Sequence, residues 1–392
     1  MLTFSVSEYK ERLSKVKEKM AERGIDVLLV TDPANMNYIT GYDAWSFYVH
    51  QLLIVSLADE EPIWFGRGID ETAAKYTTWL KEENIISYHD GYVHSKTLHP
   101  MQIVADILIS KGLDKKVIAA EYDVFYFTAR SYQELTRLLP NATFVDAENL
   151  VNWIRIVKSD EEIALIKRAA NIVTKAMYKG IESIAVGVRE CDVVANIMQQ
   201  QISGTETYSG DYPAIYPLLP SGEKTNTCHL TWTEQKFENN QPVIIEIAGC
   251  HKRYHSPLAR TVYLGEPPDD IRRLADAIVK GIEAALDVIK PGITCEDCED
   301  IELAWRKTIS KHGFAKESRM GYSTGLNYPP DWGERTASIR PGDRTVLQPN
   351  MVFHMIPGIW LDHYGVEISE TFRVTETGVE VLANVERKLF IK

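Results

Sequence analysis

The sequence predicts a two-domain chain of the α/β (α+β) class. Three observations carry this expectation. The 392 residues exceed the ~150 residues of an average domain, so two domains are the natural reading. Residues 1–155 alternate helix-like and strand-like segments, the pattern of a mixed α/β layer. Residues 156–392 instead set long helices between strand-like blocks.

In chain order, Ser5 and Glu8 form a capping box. Tyr9, Leu13, Val16 and Met20 then fall on one helical stripe, and Gly24 stops it. Ile25–Val30 reads as a buried strand ended by Asp32-Pro33. Further strands are expected at 52–56, 63–65 and 117–120, and a helix at 101–111. Val151–Lys158 is the expected boundary, and Ser159 with Glu162 is a second capping box opening a helix to about 184. Beyond it, helices are expected at 189–202, 269–289 and 295–312, and strands at 243–248, 260–264, 351–356 and 366–374. Gly187-Val188-Arg189 with Asp192 echoes Gly292-Ile293-Thr294 with Asp297. The echo suggests duplicated halves.

Composition excludes several classes. Hydrophobic residues are 45% and charged residues 25%, enough for a large core without staples. The net charge of −12 repels phosphate backbones, so nucleic acid is not an expected partner. A small cationic or zwitterionic molecule fits better. No apolar run reaches the ~18 residues of a membrane span, and residues 1–19 lack the apolar core of a signal peptide. No membrane partner and a cytoplasmic location are therefore expected. Five cysteines, an odd and sparse set, read as reduced thiols. Cys295 and Cys298 form a lone CxxC at a helix start, beside the capping pair Thr294 and Asp297, with no second pair to complete a zinc site.

Several motifs stand in order along the chain: Lys158-Ser159-Asp160-Glu161-Glu162-Ile163, Gln241-Pro242-Val243-Ile244-Ile245-Glu246, Tyr254-His255-Ser256, Arg260-Thr261, Asn350-Met351-Val352-Phe353, Pro357-Gly358 and Val374-Thr375. Together they resemble the pita-bread family of Xaa-Pro aminopeptidases, prolidases and creatinase. The resemblance implies a creatinase-like N-terminal domain over 1–155 and a pita-bread catalytic domain over 156–392. The metallopeptidases of that family hold two divalent metals with two Asp, one His and two Glu. Carried over, those places fall on Glu246, Pro257, Tyr322, Ile356 and Ser369. A slip of one or two residues near 369 would bring Glu370 or Glu367 there instead. Proline and isoleucine have no donor atom, and neutral serine and tyrosine are poor ligands, so neither a metal nor another cofactor is expected.

Residues 35–51, the stretch Glu246-Ile247-Ala248-Gly249 with Arg253-Tyr254-His255, and Gly321-Tyr322-Ser323-Thr324-Gly325 look like the ectoine hydrolases. These are metal-independent relatives that open a cyclic amidine to acetylated diaminobutyrate. The resemblance implies a homodimer in which the N-terminal domain of one subunit reaches the partner's active site. Trp45, Phe47 and Tyr48 are the candidates for that reach.

A site for an amidinium needs a carboxylate, aromatic faces and a proton carrier. Glu246 ends an apolar strand, where a charge is costly unless used or paired, and Arg260 is its possible partner. It is expected to contact the amidinium as nucleophile or base. His229 falls where creatinase keeps its histidine and is the expected proton shuttle. Glu367 and Glu370 lie an odd number of residues apart on one strand, so they face opposite sides; Glu370 is the one preferred for the pocket. His255, Tyr322 and His354 are expected to line it. The remaining histidines, His99 and His94 among them, are expected to be structural or at the surface. The carboxylate that creatinase places before Arg-Thr is Ala259 here, which argues against creatine as substrate. The competing readings are an Xaa-Pro peptidase, which requires the metal ligands, and a non-catalytic binding relative.

Overall fold

The computed structural model describes residues 2–289 and 298–392. It divides into two units, Met1–Arg155 and Ile156–Lys392. No helix among the described residues is long and apolar enough to cross a membrane. Cys295, Thr294, Asp297 and the Gly292 half of the internal echo lie outside the described residues. Cys298 is buried at the start of the helix Cys298–Lys311.

In the N-terminal unit, Ser5 caps the helix Val6–Glu22 by accepting from the Glu8 amide, while the Glu8 carboxylate takes Arg12 at 2.6 Å. Tyr9, Leu13, Val16 and Met20 are buried as the stripe requires. The described strands form one six-stranded sheet. Its order is Ile85–Tyr88, Ile63–Arg67, Leu52–Ser56, Val27–Val30, Val117–Ala120, Thr143–Asp146. Glu121, just beyond one central strand, binds the end of its neighbour. It accepts from the Thr31 amide at 2.6 Å, the Asp32 amide at 2.8 Å and the Asn35 amide group at 2.6 Å. Burial, with Asp32 beside it, raises this carboxyl to about 7. Asp32 caps the helix Pro33–Thr40, and Gly41 ends it at φ 85°, where glycine carries no Cβ penalty. The segment after Gly41 is pinned by Ser46, which contacts the Tyr42 hydroxyl at 2.7 Å and Gln51 Oε1 at 2.6 Å.

In the C-terminal unit the Ser159–Glu162 capping box is complete in both directions and opens the helix Asp160–Ser183. That helix lies against the long hairpin Gln241–His251 and Tyr254–Leu264. A Cβ at Gly249 would come within 2.0 Å of the Ala169 carbonyl, so the approach requires glycine. Strand alternation then sorts the hairpin. Val243, Ile245 and Ile247 enter the core shared with this helix. Ile244, Glu246 and Ala248 point the other way.

A five-stranded antiparallel sheet supplies the rest. Its order is Gly333–Ile339, Gly321–Thr324, Val352–Met355, Glu370–Thr375, Gly378–Val381. The strand expected over 366–374 is broken. Gly365–Val366 pairs with Ile359–Trp360, and the ladder resumes only at Glu370. Between them, residues 367–371 run beside the hairpin. Thr261 Oγ1 donates to the Glu367 carbonyl at 2.8 Å, the Ser369 amide donates to the Ala259 carbonyl at 3.1 Å, and Thr371 Oγ1 donates to the Pro257 carbonyl at 2.6 Å.

Candidate active site

The hairpin register places Glu246 opposite Ala259 and Ala248 opposite Pro257. Arg260 is opposite Ile245 and so projects from the other face, away from Glu246. Glu246 is 6% exposed. Burial and the Glu367 carboxylate push its carboxyl well above the usual range, against the pull of Lys316. Glu367 is also buried, and burial raises it to about 7 although Lys316 lowers it. Its Oε2 atom is buried without a hydrogen-bond partner among the described residues.

Lys316 is the third member of the cluster. Its ammonium donates to the Gly358 carbonyl at 3.0 Å and lies 4.5 Å over the Trp360 ring. Burial lowers it to about 8, opposed by Glu367, Cys228 and Glu246. The Cys228 thiol is raised by burial and by the two glutamates. Sequence reasoning missed Lys316 and Cys228. Each is a single residue in a non-periodic segment, with no spacing pattern to reveal it.

Beside the carboxylates runs a buried hydrogen-bond chain. Trp332 Nε1 donates to the Tyr322 hydroxyl at 2.6 Å. That hydroxyl is 3.1 Å from His354 Nδ1, and His354 Nε2 is 2.9 Å from Ser369 Oγ. Ser369 Oγ also accepts from the Ala259 amide at 2.6 Å. Tyr322 and His354 meet because they are cross-strand partners. Burial and Arg319 hold His354 at about 3, so its ring is neutral near pH 7. A neutral imidazole carries one N–H. The chain then has one hydrogen more than it has contacts, and the surplus is a hydroxyl hydrogen of Tyr322 or Ser369. Burial and Glu246 raise the Tyr322 phenol well above its usual range, so it is a donor, not a phenolate.

The structure thus brings Glu246, Tyr322 and His354 together. Glu370 requires correction. It is 1% exposed and bound to Arg260 at 2.8 Å and Arg387 at 3.1 Å. The buried guanidinium needs that countercharge, so Glu367, not Glu370, faces the cluster. His255 is buried on the same face of the hairpin as Ala259, its Nε2 accepting from the Ala214 amide at 2.9 Å, and Ala214 packs with Ala248, Tyr322 and Trp332. Burial and Arg253 hold His255 at about 3. His229 is exposed, and its neighbour Cys228 is the residue that senses the carboxylates. Trp45, Phe47 and Tyr48 belong to the N-terminal unit. Trp45 packs on Phe47 at 4.8 Å, and Trp45 and Tyr48 are 54% and 59% exposed.

The residues present do not fit a two-metal centre. Pro257 is fixed in the hairpin, Tyr322 and Ser369 are engaged in the hydrogen-bond chain, and Ile356 packs with Ala248, Tyr322 and Trp332. Among the described residues no group of three or more His, Cys, Asp or Glu has the arrangement of a metal site. Two carboxylates remain, with a lysine ammonium supplying the positive charge beside them.

Known proteins agree with this architecture. Residues 164–376 match metallopeptidase family M24, and residues 12–157 match the creatinase/prolidase N-terminal domain. Ectoine hydrolase of Halomonas elongata is 44% identical over 398 residues, covering 100% of this chain and 99% of that protein. An uncharacterized hydrolase/peptidase of Sinorhizobium fredii, y4tM, is 46% identical over 392 residues, covering 100% and 99%. The recombinant prolidase from Thermococcus sibiricus superposes with a TM-score of 0.84 at 21% identity, covering 98% of this chain and 99% of that one, a likeness of fold. With a catalytic unit and an N-terminal unit both matched, the chain belongs to metallopeptidase family M24, a family of hydrolases, and has the pita-bread architecture of its Xaa-Pro peptidases.

Proposed function

We propose that the protein hydrolyses the cyclic amidine ring of ectoine, or of a close analogue, to an N-acetylated diaminobutyrate without a metal. The observation that carries the reading is the pair of buried carboxylates, Glu246 and Glu367, standing with Lys316 where the family's metal ligands are otherwise replaced. With both glutamates ionised the cluster has one excess negative charge. With one proton added it is neutral. An amidinium entering such a site displaces that proton and takes its place, since one cation substitutes for another.

The amidinium carbon is electrophilic already and needs no Lewis acid. Glu246 attacks it and water later cleaves the resulting bond between Glu246 and that carbon, or Glu246 takes a proton from the water that attacks directly. The carbon–nitrogen bond then breaks as the departing nitrogen is protonated, leaving an amide and an ammonium. Water and amidinium are consumed with no change of net charge. Tyr322 offers its hydroxyl hydrogen beside Glu246, and His229 exchanges the proton with solvent. Full-length similarity to ectoine hydrolase supports the substrate. Ala259 in place of a carboxylate argues against creatine.

The active species is proposed to be a homodimer, with Trp45 and its aromatic neighbours completing the partner's site. Their exposure suits such a contact.

The test is turnover of ectoine by purified Glu246→Gln. This variant keeps the shape and removes the charge. It should cut turnover by at least ~100-fold, the scale of a lost base or nucleophile. Near-normal turnover would end the reading, and mass-spectrometric trapping of an adduct on Glu246 would select direct attack over activated water.

A further inference from the structure

The glutamate cluster accounts for the positive half of an ectoine-like substrate and leaves its carboxylate without a partner. The segment that leads into the strand Gly321–Thr324 carries two cations three residues apart, Lys316 and Arg319. Lys316 is already engaged, buried beside the glutamates and donating to the Gly358 carbonyl. Arg319 is exposed. Its Nη1 donates to Ser338 Oγ at 3.2 Å, and its guanidinium carbon lies 4.4 Å from the centre of the Tyr322 ring. No carboxylate among the described residues forms an ion pair with it.

The sheet register says which way Arg319 faces. Tyr322 lies opposite Ser338 on one side and His354 on the other, and His354 lies opposite Thr371. Cross-strand partners share a face, so these four side chains project from one side of the sheet. Thr371 Oγ1 reaches the Pro257 carbonyl, so that side is turned to the hairpin that carries Glu246. The opposite side is filled by Phe353, Met355 and Phe372 in the core. Arg319, held by Ser338 and Tyr322, therefore stands on the catalytic side. Tyr322 links the two charges, with its ring under the guanidinium and its phenol within the field of Glu246. A guanidinium packed flat on an aromatic ring keeps its edge N–H groups available. That edge matches a carboxylate through two parallel bonds.

We infer that Arg319 binds the carboxylate of the substrate while Glu246 meets its amidinium, so that the site selects a zwitterion over a bare cation. This inference rests on the amidine reading and names a specificity-determining residue for it.

Steady-state turnover of ectoine and of its decarboxylated analogue, the same amidine ring without the anion, tests it on the full chain. The wild type should favour ectoine in kcat/KM by ~10-fold or more, the scale of a hydrogen-bonded charge, chiefly through KM. Arg319→Met, a change at an exposed position, should erase most of that preference. Arg319→Lys should keep part of it, because the charge remains and the fork is lost. Both compounds are measured on one preparation, so any unfolded fraction cancels in the ratio. Equal kcat/KM for the two compounds in the wild type, or an unchanged preference in Arg319→Met, overturns the inference alone. Failure of the wild type to turn over either compound ends the amidine reading and this inference with it.

Discussion

Arg260 and Glu370 form an ion pair of 2.8 Å with neither side chain more than 1% exposed. The guanidinium also donates to the carbonyls of Glu386, Ala259, Ser369 and Val385. The pair ties the hairpin to residues 369–370 and the chain near 385. It thereby fixes the segment from which Glu367 faces Glu246. Breaking one partner leaves a buried uncompensated charge. Glu370→Gln should lower the unfolding free energy by about 3–5 kcal/mol, read by urea denaturation. A loss below about 1 kcal/mol would contradict a structural role for this carboxylate.

Removing the Tyr322 hydroxyl should be costly for a different reason. Tyr322→Phe strips an acceptor from Trp332 Nε1 and a partner from His354 Nδ1. Each is buried. A loss of about 1–3 kcal/mol in urea denaturation is expected, with reduced ectoine turnover.

Glu367 gives stability a pH dependence whose sign is fixed. Its folded value, about 7, lies above the ordinary 4.5. The folded state thus holds the proton more tightly than the unfolded chain. Below the ordinary value both states are protonated and the group contributes nothing. Between there and about 7 the unfolded chain releases its proton first, so stability falls as pH rises, and the loss levels off above. Glu367→Gln removes this loss. It should be neutral near pH 4 and stabilising by roughly 2–3 kcal/mol at pH 8. Equal melting-temperature differences at the two pH values would contradict the raised carboxyl.

Trp45→Ala should raise KM for ectoine without lowering the melting temperature, because Trp45 is 54% exposed in the chain. Sedimentation at assay dilution should find a dimer. A fully active monomer would remove the trans contribution.

Some of this architecture was legible in the sequence because it rests on local chemistry. Ser5 and Ser159 cap helices through bonds spanning three residues, and the buried runs at 27–30, 52–56 and 117–120 mark themselves by apolarity. Glu246 announced itself as a charge within an apolar run, although the strand continues past it to His251 and does not end there. What stayed hidden was decided by distant partners. Alternation places Glu367 and Glu370 on opposite sides, but only the position of Arg260 says which side is which. Lys316 and Cys228 carry no periodic signal, and fold-level packing alone sets them beside the glutamates.

The claim that two glutamates and a lysine do the work of the family's metal pair is tested most directly by the rate of ectoine consumption after exhaustive chelation. The account predicts that the chelated protein opens the ring at the untreated rate and that added manganese, cobalt or zinc does not raise it. Loss of activity on chelation, restored by one of those ions, would contradict it.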